Sequence, residues 1–312
     1  MTESNNQGSE HIIQRFQPHQ IEAALAYFNE HGYCVFSKAF DIALGKAFWD
    51  DVEYQIAHNE QLSYSLYGKV YQGPNTPPDG KKLPRIIDIE SHSELARQLI
   101  LISPIAKFLH ALYGCPATCM QTLTYKFSSE QRAHSDKVLV SPPYVGPYDR
   151  ETLAASWLAL EASSEANGAL IIYPGSHKLP KRSLFDGFDD SYLAYTNWLD
   201  SWLQENGFKG VTFRAEPGDI LFWHGDFIHA GGAIQSPSET PPTRHSLVCH
   251  YARIPENQAS LDAGWTRVKL PGGSYYQLVS AVSAETPAPT PASLMQRLKA
   301  RVVSLMGKSK GT

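Results

Sequence analysis

Apolar positions recur along this chain at two different periods, and the change from one to the other divides it. From residue 18 to about 30, Ile21, Ala24, Leu25 and Phe28 fall three and four apart, the spacing of one helical face. Gly32 stops that helix, and Tyr33–Phe36 reads as a strand. Further helices are predicted over about 42–56 and 93–113. After Gly114 the pattern becomes short β-like runs split by turn residues, at 118–127, 154–160, 168–173, 211–215, 220–223 and 246–253. Strands this short and closely spaced indicate a sandwich or barrel rather than a parallel α/β sheet.

Two long stretches interrupt the pattern. Residues 62–89 are rich in Gly, Pro and Tyr and show no clear period. Residues 181–210 carry Tyr192, Tyr195, Trp198 and Trp202 at spacings of three and four, so part of that stretch is helical. Long insertions in compact enzymes are often lids or binding loops, so both are expected to form a substrate entrance. The chain then reads as a polar, disordered 1–10, one domain over 11–283, and a tail over 284–312. The tail opens with the Pro/Ala linker AETPAPTPA. Over 293–310 it places Leu294, Leu298, Val302, Leu305 and Met306 on one helical face, beside five basic residues and no acidic one. Such a basic amphipathic helix docks on its own barrel, associates with a second copy, or makes weak contact with a membrane surface.

Composition removes several classes. With 42% hydrophobic and 19% charged residues the chain is an ordinary globular one, with no bias toward disorder. A net charge of −4 gives no electrostatic case for nucleic acid. The four cysteines form no C-x-x-C pair, which argues against structural zinc. The first residues lack the basic-then-apolar pattern of a signal peptide, and no apolar run is long enough to span a membrane. A cytoplasmic location is expected, peripheral to a membrane at most.

The candidate chemistry begins at His134-Ser135-Asp136. On an extended segment, residues two apart point to the same side, so one imidazole and one carboxylate can reach a single metal ion. His229, in GDILFWHGDFIHAGG, is the best third ligand. Two histidines and one carboxylate on one face of an octahedron leave positions open, as in non-haem iron oxygenases. Arg244 follows fifteen residues later and opens Arg-x-Ser with Ser246. Its planar fork of donors fits a carboxylate, and Ser246 supplies another donor from the same face of the strand. A dicarboxylate such as 2-oxoglutarate needs that arrangement: its keto acid end goes to iron and its far end to a charged anchor. His250, by contrast, is expected to be a satisfied core histidine.

The order H-x-D, NGAL-x-x-x-PGSHK, GDILFWHGDFIHAGG and Arg-x-Ser resembles the phytanoyl-CoA dioxygenase family, over about residues 18–253 and most closely over 121–251. The resemblance implies a double-stranded β-helix, a jelly roll related to the cupins and mainly β with flanking helices. It implies Fe(II), 2-oxoglutarate and O2, with iron on His134, Asp136 and His229 and the cosubstrate carboxylate on Arg244 and Ser246. By the same likeness Trp157, Lys126 and Gln121 are expected near the cosubstrate. Tyr64, Tyr67, Tyr71, Arg132, Tyr144, Tyr148 and Trp198 are expected to supply the substrate pocket. Ser128 to Arg132 stand where relatives often have a Pro-Gly turn, and the stretch after Asp136 matches no subfamily.

The expected reaction is hydroxylation of an unactivated C–H bond in a small organic molecule, with release of succinate and CO2. Relatives that halogenate carry Gly or Ala at the carboxylate position, so Asp136 argues for hydroxylation. Desaturation, cyclisation and epimerisation use the same ligands. A cupin-like metal module without 2-oxoglutarate is the other class, and Arg-x-Ser argues against it.

Overall fold

The computed structural model describes residues 13–66, 69–74, 85–139, 153–178, 187–188, 191–238, 240–254 and 265–278. The short strand β1 (Arg15–Phe16) leads into helix α1 (Ile21–His31). That helix ends at Gly32, whose φ of +80° a side chain would resist and whose Cβ would strike the His177 and Phe227 rings. Strand β2 (Tyr33–Phe36) and helix α2 (Ile42–His58) follow, the helix capped by the Asp41 carboxylate on the Ala43 amide at 2.9 Å. Next come β3 (Ser63–Leu66), β4 (Lys69–Gln72) and β5 (Arg85–Ile87).

Where one helix is predicted over 93–113, two form: α3 (Glu94–Ile100) and α4 (Ser103–Tyr113), bent by 45°. Pro104 explains the break: it has no N–H to give to the Ile100 carbonyl and its ring crowds that carbonyl, so α3 ends at Ile100 and α4 begins with proline in its first turn. No single helix among the described residues is long and apolar enough to cross a membrane. The bent α3–α4 pair matches a span by length and composition, but it buries Leu99, Ile100, Ile105, Phe108 and Leu109 in the protein's own core.

The second half supplies β6 (Ala117–Tyr125), the single turn α5 (Asp136–Leu139), β7 (Ala154–Ala159) and β8 (Leu170–Ile172). Helix α6 (Tyr192–Glu205) lies in the second predicted insertion. Then come β9 (Val211–Phe213), β10 (Ile220–His224), β11 (His229–Gly231), β12 (Ser246–Ala252), and the hairpin β13 (Trp265–Leu270) with β14 (Gly273–Leu278). The tail over 284–312, including the predicted helix, lies outside the described residues.

These strands make two sheets. The large one runs β1-β2-β10-β7-β12-β6-β5-β3-β4, with β14 and β13 added alongside β6. The small one runs β11-β8-β9. Together they form a double-stranded β-helix. Successive strand residues alternate faces, so the large sheet has two cores. Phe36, Phe222, Leu158, Leu247 and Cys249 face the helices and pack with Phe28, Phe48 and Phe108. Val35, Leu221, Trp157, Val248 and Leu123 face the small sheet and pack with Leu170, Ile172 and Phe213.

The first insertion departs from its prediction. Its described residues are strands that extend the large sheet, with Tyr64 opposite Ile86 and Tyr71 opposite Tyr64. That register turns Tyr64 and Tyr71 to the helix-covered core, so neither lines a substrate pocket. Tyr64 is fully buried there, and burial pushes its phenol up to about 12.

Candidate metal centre

His134 and His229 are brought together by a backbone bridge between the small sheet and the segment after β6. Each amide donates to the other's carbonyl at 3.0 Å. The extended geometry assumed for H-x-D holds only at His134. At Asp136 the chain turns into α5, fixed by the Lys137 amide donating to Gly225 O at 2.9 Å, and that turn swings the carboxylate beneath the two rings. The Asp136 Oδ1 atom lies 3.8 Å from His134 Nε2 and 3.7 Å from His229 Nε2. One ligand atom from each of the three residues lies within 4.8 Å of the others, and all three residues are buried.

Hydrogen bonds fix which atoms face the centre. The Nδ1 of His134 lies 2.8 Å from Arg132 O, and the Nδ1 of His229 lies 3.4 Å from Phe227 O. A carbonyl only accepts, so each Nδ1 carries the proton and each Nε2 presents a lone pair. The second carboxylate oxygen is occupied differently. Trp223 Nε1 donates to Asp136 Oδ2 at 2.6 Å, and His250 Nε2 lies 3.3 Å from the same atom. Oδ1 is thereby left toward the histidines. Charge follows geometry. Burial, then the neighbouring His229, brings His134 down to about 3 against the opposing pull of Asp136. Burial lowers His229 as well. For Asp136, burial alone would raise the pKa, but His229, His250 and His134 outweigh it and hold the carboxyl well below the ordinary range. Neutral imidazoles and an ionised carboxylate are the forms that bind a metal cation.

The centre opens on a partly enclosed cavity. Arg244, Trp157, Arg85, Leu123, Leu170, Val248 and His250 are among the described residues lining it. Arg244 is buried, and its Nη1 donates to Gly168 O. Gly168 has φ of +74°, and a Cβ there would meet Gly232 O at 2.5 Å, so the turn that holds the arginine requires glycine. The guanidinium lies 5.7 Å over the Trp157 ring. Burial lowers its pKa to about 10, which keeps it charged at neutral pH. Arg244 Nε, Trp157 Nε1 and the Ser246 hydroxyl have no hydrogen-bond partner in the protein.

The other predicted site residues are placed as follows. Gln121 is buried on the inner face beside His250 but is not among the described cavity-lining residues. Lys126 is corrected: one residue past β6, its side chain is turned to the surface, 3.8 Å from Glu53 of α2. Arg132 does not line the cavity; it pairs with Asp200 and donates to Asn197 Oδ1 at 2.7 Å, tying the segment before His134 to α6. Trp198 packs with Phe188, Tyr195 and Trp202 in a separate cluster rather than in the pocket. Tyr67, Tyr144 and Tyr148 lie outside the described residues. His250, expected to be a core histidine, instead reaches Asp136. Trp223 and Arg85 were not anticipated at all. The period of two would have found Trp223 and His250: His250 shares a face with Ser246, and Trp223 with Leu221. Arg85 sits in a three-residue strand too short to show a period.

Residues 28–244 match the family described as phytanoyl-CoA dioxygenase. The chain belongs to the phytanoyl-CoA dioxygenase family. Human peroxisomal phytanoyl-CoA dioxygenase is 26% identical over 189 residues, covering 56% of this chain and 51% of the relative. A probable phytanoyl-CoA dioxygenase of Caenorhabditis elegans is 30% identical over 105 residues, covering 32% and 30%. The chain thus spans about half, or less, of the length of these curated relatives. Among solved structures, the epimerase SnoN in complex with Fe3+, alpha ketoglutarate and nogalamycin RO matches with a TM-score of 0.57 and 18% identity, covering 83% of this chain and 99% of that one. EctD from S. alaskensis with 2-oxoglutarate and 5-hydroxyectoine matches with a TM-score of 0.55 and 17% identity, covering 90% and 85%. At that identity the two structures show a shared fold.

Proposed function

We propose that this chain is an Fe(II)- and 2-oxoglutarate-dependent oxygenase that hydroxylates an unactivated C–H bond of a small organic molecule. The carrying observation is that one cavity joins a buried His134–Asp136–His229 cluster to a buried Arg244 with donor capacity to spare. Unsatisfied buried donors on the Arg244 guanidinium, the Trp157 indole and the Ser246 hydroxyl are costly unless a ligand satisfies them, and a carboxylate does so. The donor set also fits iron: two neutral imidazole lone pairs and one carboxylate oxygen suit a divalent first-row metal with open positions.

When bound, iron, 2-oxoglutarate and O2 supply the oxidation of the C–H bond, with the cosubstrate leaving as succinate and CO2. The chain's own groups prepare that step. Trp223 and His250 hold Asp136 Oδ2, so the carboxylate offers Oδ1 alone and positions stay free. Arg244 holds the far carboxylate of the cosubstrate, with Ser246 and Trp157 Nε1 as further donors. Leu123, Leu170 and Val248 make the walls apolar and exclude water from the reacting centre. Asp136 fills the third ligand position, which favours hydroxylation over halide transfer.

Anaerobic titration tests the reading. Fe(II) and 2-oxoglutarate together should give a visible charge-transfer absorption that neither gives alone, and His229→Ala should remove it. A protein that binds Fe(II) at these residues yet shows no absorption dependent on 2-oxoglutarate would overturn the proposal.

A further inference from the structure

The turn before β8 grips Arg244 at both ends. Gly168 O accepts from the guanidinium. Asn167, the preceding residue, reaches the backbone end: its Nδ2 donates to Thr243 O at 2.9 Å. Thr243 O and Arg244 N belong to one peptide plane, and Arg244 N donates to Lys126 O at 2.7 Å. Both polar atoms of that plane are therefore taken. This fixes the direction in which the Arg244 side chain leaves the backbone, and Gly168 O fixes where it ends.

The turn is itself held by Asn167. Its Oδ1 accepts from the Ser164 amide at 2.8 Å, and its Nδ2 donates a second time, to Ala162 O at 2.9 Å. One amide partner and two carbonyl partners settle which side-chain atom is oxygen and which is nitrogen. Gly168 is pinned from the other side. The place of a Cβ is filled by Gly232 O and the Ser128 side chain, and the Ser128 hydroxyl donates to Gly232 O at 2.7 Å. A turn residue with no further role would account for the bonds to Ser164 and Ala162, which stay within five positions. It would not account for the bond to Thr243, which spans 76 positions and lands on the peptide of the anchoring arginine.

We propose that Asn167 is a positioning residue for the cosubstrate anchor. It holds the Thr243–Arg244 peptide and the Gly168 carbonyl in one fixed relation, and so keeps the buried guanidinium in the cavity wall with its Nε still to be satisfied. Asn167 is not among the described residues lining the cavity, so it acts through Arg244. This rests on the oxygenase reading above, which assigns the far carboxylate of 2-oxoglutarate to Arg244.

The test compares two ligands on full-length, Mn(II)-loaded protein without O2, by calorimetric titration. Both 2-oxoglutarate and oxalate chelate a metal through adjacent oxygens, but oxalate has no far carboxylate. The ratio of their affinities reads the anchor separately from the metal. Asn167→Ala and Asn167→Asp should each weaken 2-oxoglutarate by about tenfold and leave oxalate within about threefold. Asn167→Asp keeps the shape and the Ser164 cap while losing both donors, and it decides the matter by itself if Asn167→Ala does not fold. In an Arg244→Ala background, Asn167→Ala should change 2-oxoglutarate affinity by less than about twofold, because the group it positions is gone. Three results would overturn the inference alone: unchanged 2-oxoglutarate affinity in the folded variants, an equal loss for oxalate, or a further tenfold loss in the Arg244→Ala background. If Arg244→Ala itself binds 2-oxoglutarate as tightly as the unaltered protein, the oxygenase reading fails, and this inference with it.

Discussion

Phe222 and Trp223 are neighbours in β10 and point to opposite faces of the large sheet. Phe222 packs against Phe36 and Phe108 under the helices. Trp223 stands over the metal cluster, with its ring 4.6 Å from His229 and its Nε1 on Asp136. The helix-covered face is finished by the protein itself. Its buried hydroxyls mostly find partners there: Tyr113 donates to Tyr251 O at 3.2 Å and Tyr251 to Ile100 O at 2.7 Å. Tyr64 and Thr124 are among the exceptions. On the cavity side, atoms of Arg85, Arg244, Trp157, Ser246 and His250 have no hydrogen-bond partner, and the first two are buried guanidiniums. One face is completed on folding. The other is completed on binding, and the groups left open state the chemistry of what binds.

Substitutions on the two faces should therefore fail in different measurements. The largest expected effect is at Arg244. Leaving a bound carboxylate without its buried partner costs about 3–5 kcal/mol, so Arg244→Ala should weaken 2-oxoglutarate by two orders of magnitude or more while metal affinity stays nearly constant. Equilibrium titration of cosubstrate into metal-loaded protein reads the first, and metal titration without cosubstrate reads the second. On the other face, Phe222→Ala should cost about 3–5 kcal/mol of folding stability through the cavity it leaves. The folded fraction of that variant should bind metal and cosubstrate normally. Chemical denaturation with a metal titration alongside checks both halves.

Trp223→Phe sharpens the contrast by one residue. The ring's bulk is largely kept, so stability should move by less than about 1.5 kcal/mol. The hydrogen bond to Asp136 Oδ2 is lost, and removing such an outer partner usually costs about 10–100-fold in metal affinity. Unchanged metal affinity in Trp223→Phe would mean that the indole is packing alone and that the two faces differ less than their hydrogen bonds imply.

Much of this was legible in the sequence. The strand cores and the first two helices follow from periodicity and turn residues, and His134, Asp136, His229 and Arg244 are brought to one cavity as their motifs suggested. What was not legible has physical causes. The residues 62–89 carry no period, so three strands and the register that turns Tyr64 and Tyr71 to the helix-covered core were hidden. Lys126 was assigned by likeness without following its strand's alternation to the surface. His250 and Trp223 needed the alternation of β12 and β10 to be read against Ser246 and Leu221. The convergence of His134 and Asp136 depends on a helical turn set by Gly225 O, a contact 88 positions away that local spacing does not contain.

The smallest expected effect is a dependence on pH, and it divides folding from binding. His134 has an ordinary value of 6.5 and is brought down to about 3 in the folded protein. A lowered imidazole means that the unfolded chain binds the proton first. Above 6.5 both states are neutral and nothing changes. Between 6.5 and about 3, acidification favours the unfolded state, by up to about 1.4 kcal/mol per pH unit for this one group. Asp136 adds in the same direction, but only at lower pH, since its lowered pKa makes its contribution disappear as the unfolded carboxyl takes up its proton. Thermal melts of the metal-free protein should therefore fall steadily from pH 6.5 to 5. Metal affinity of the folded protein should not lose what protonating His134 would cost, because that imidazole is already neutral at both pH values. An ordinary imidazole at pH 5 would cost about 30-fold in affinity. A flat metal affinity with a falling Tm is the signature of His134 held neutral by the fold, and a 30-fold loss of affinity over that interval would show that it is not.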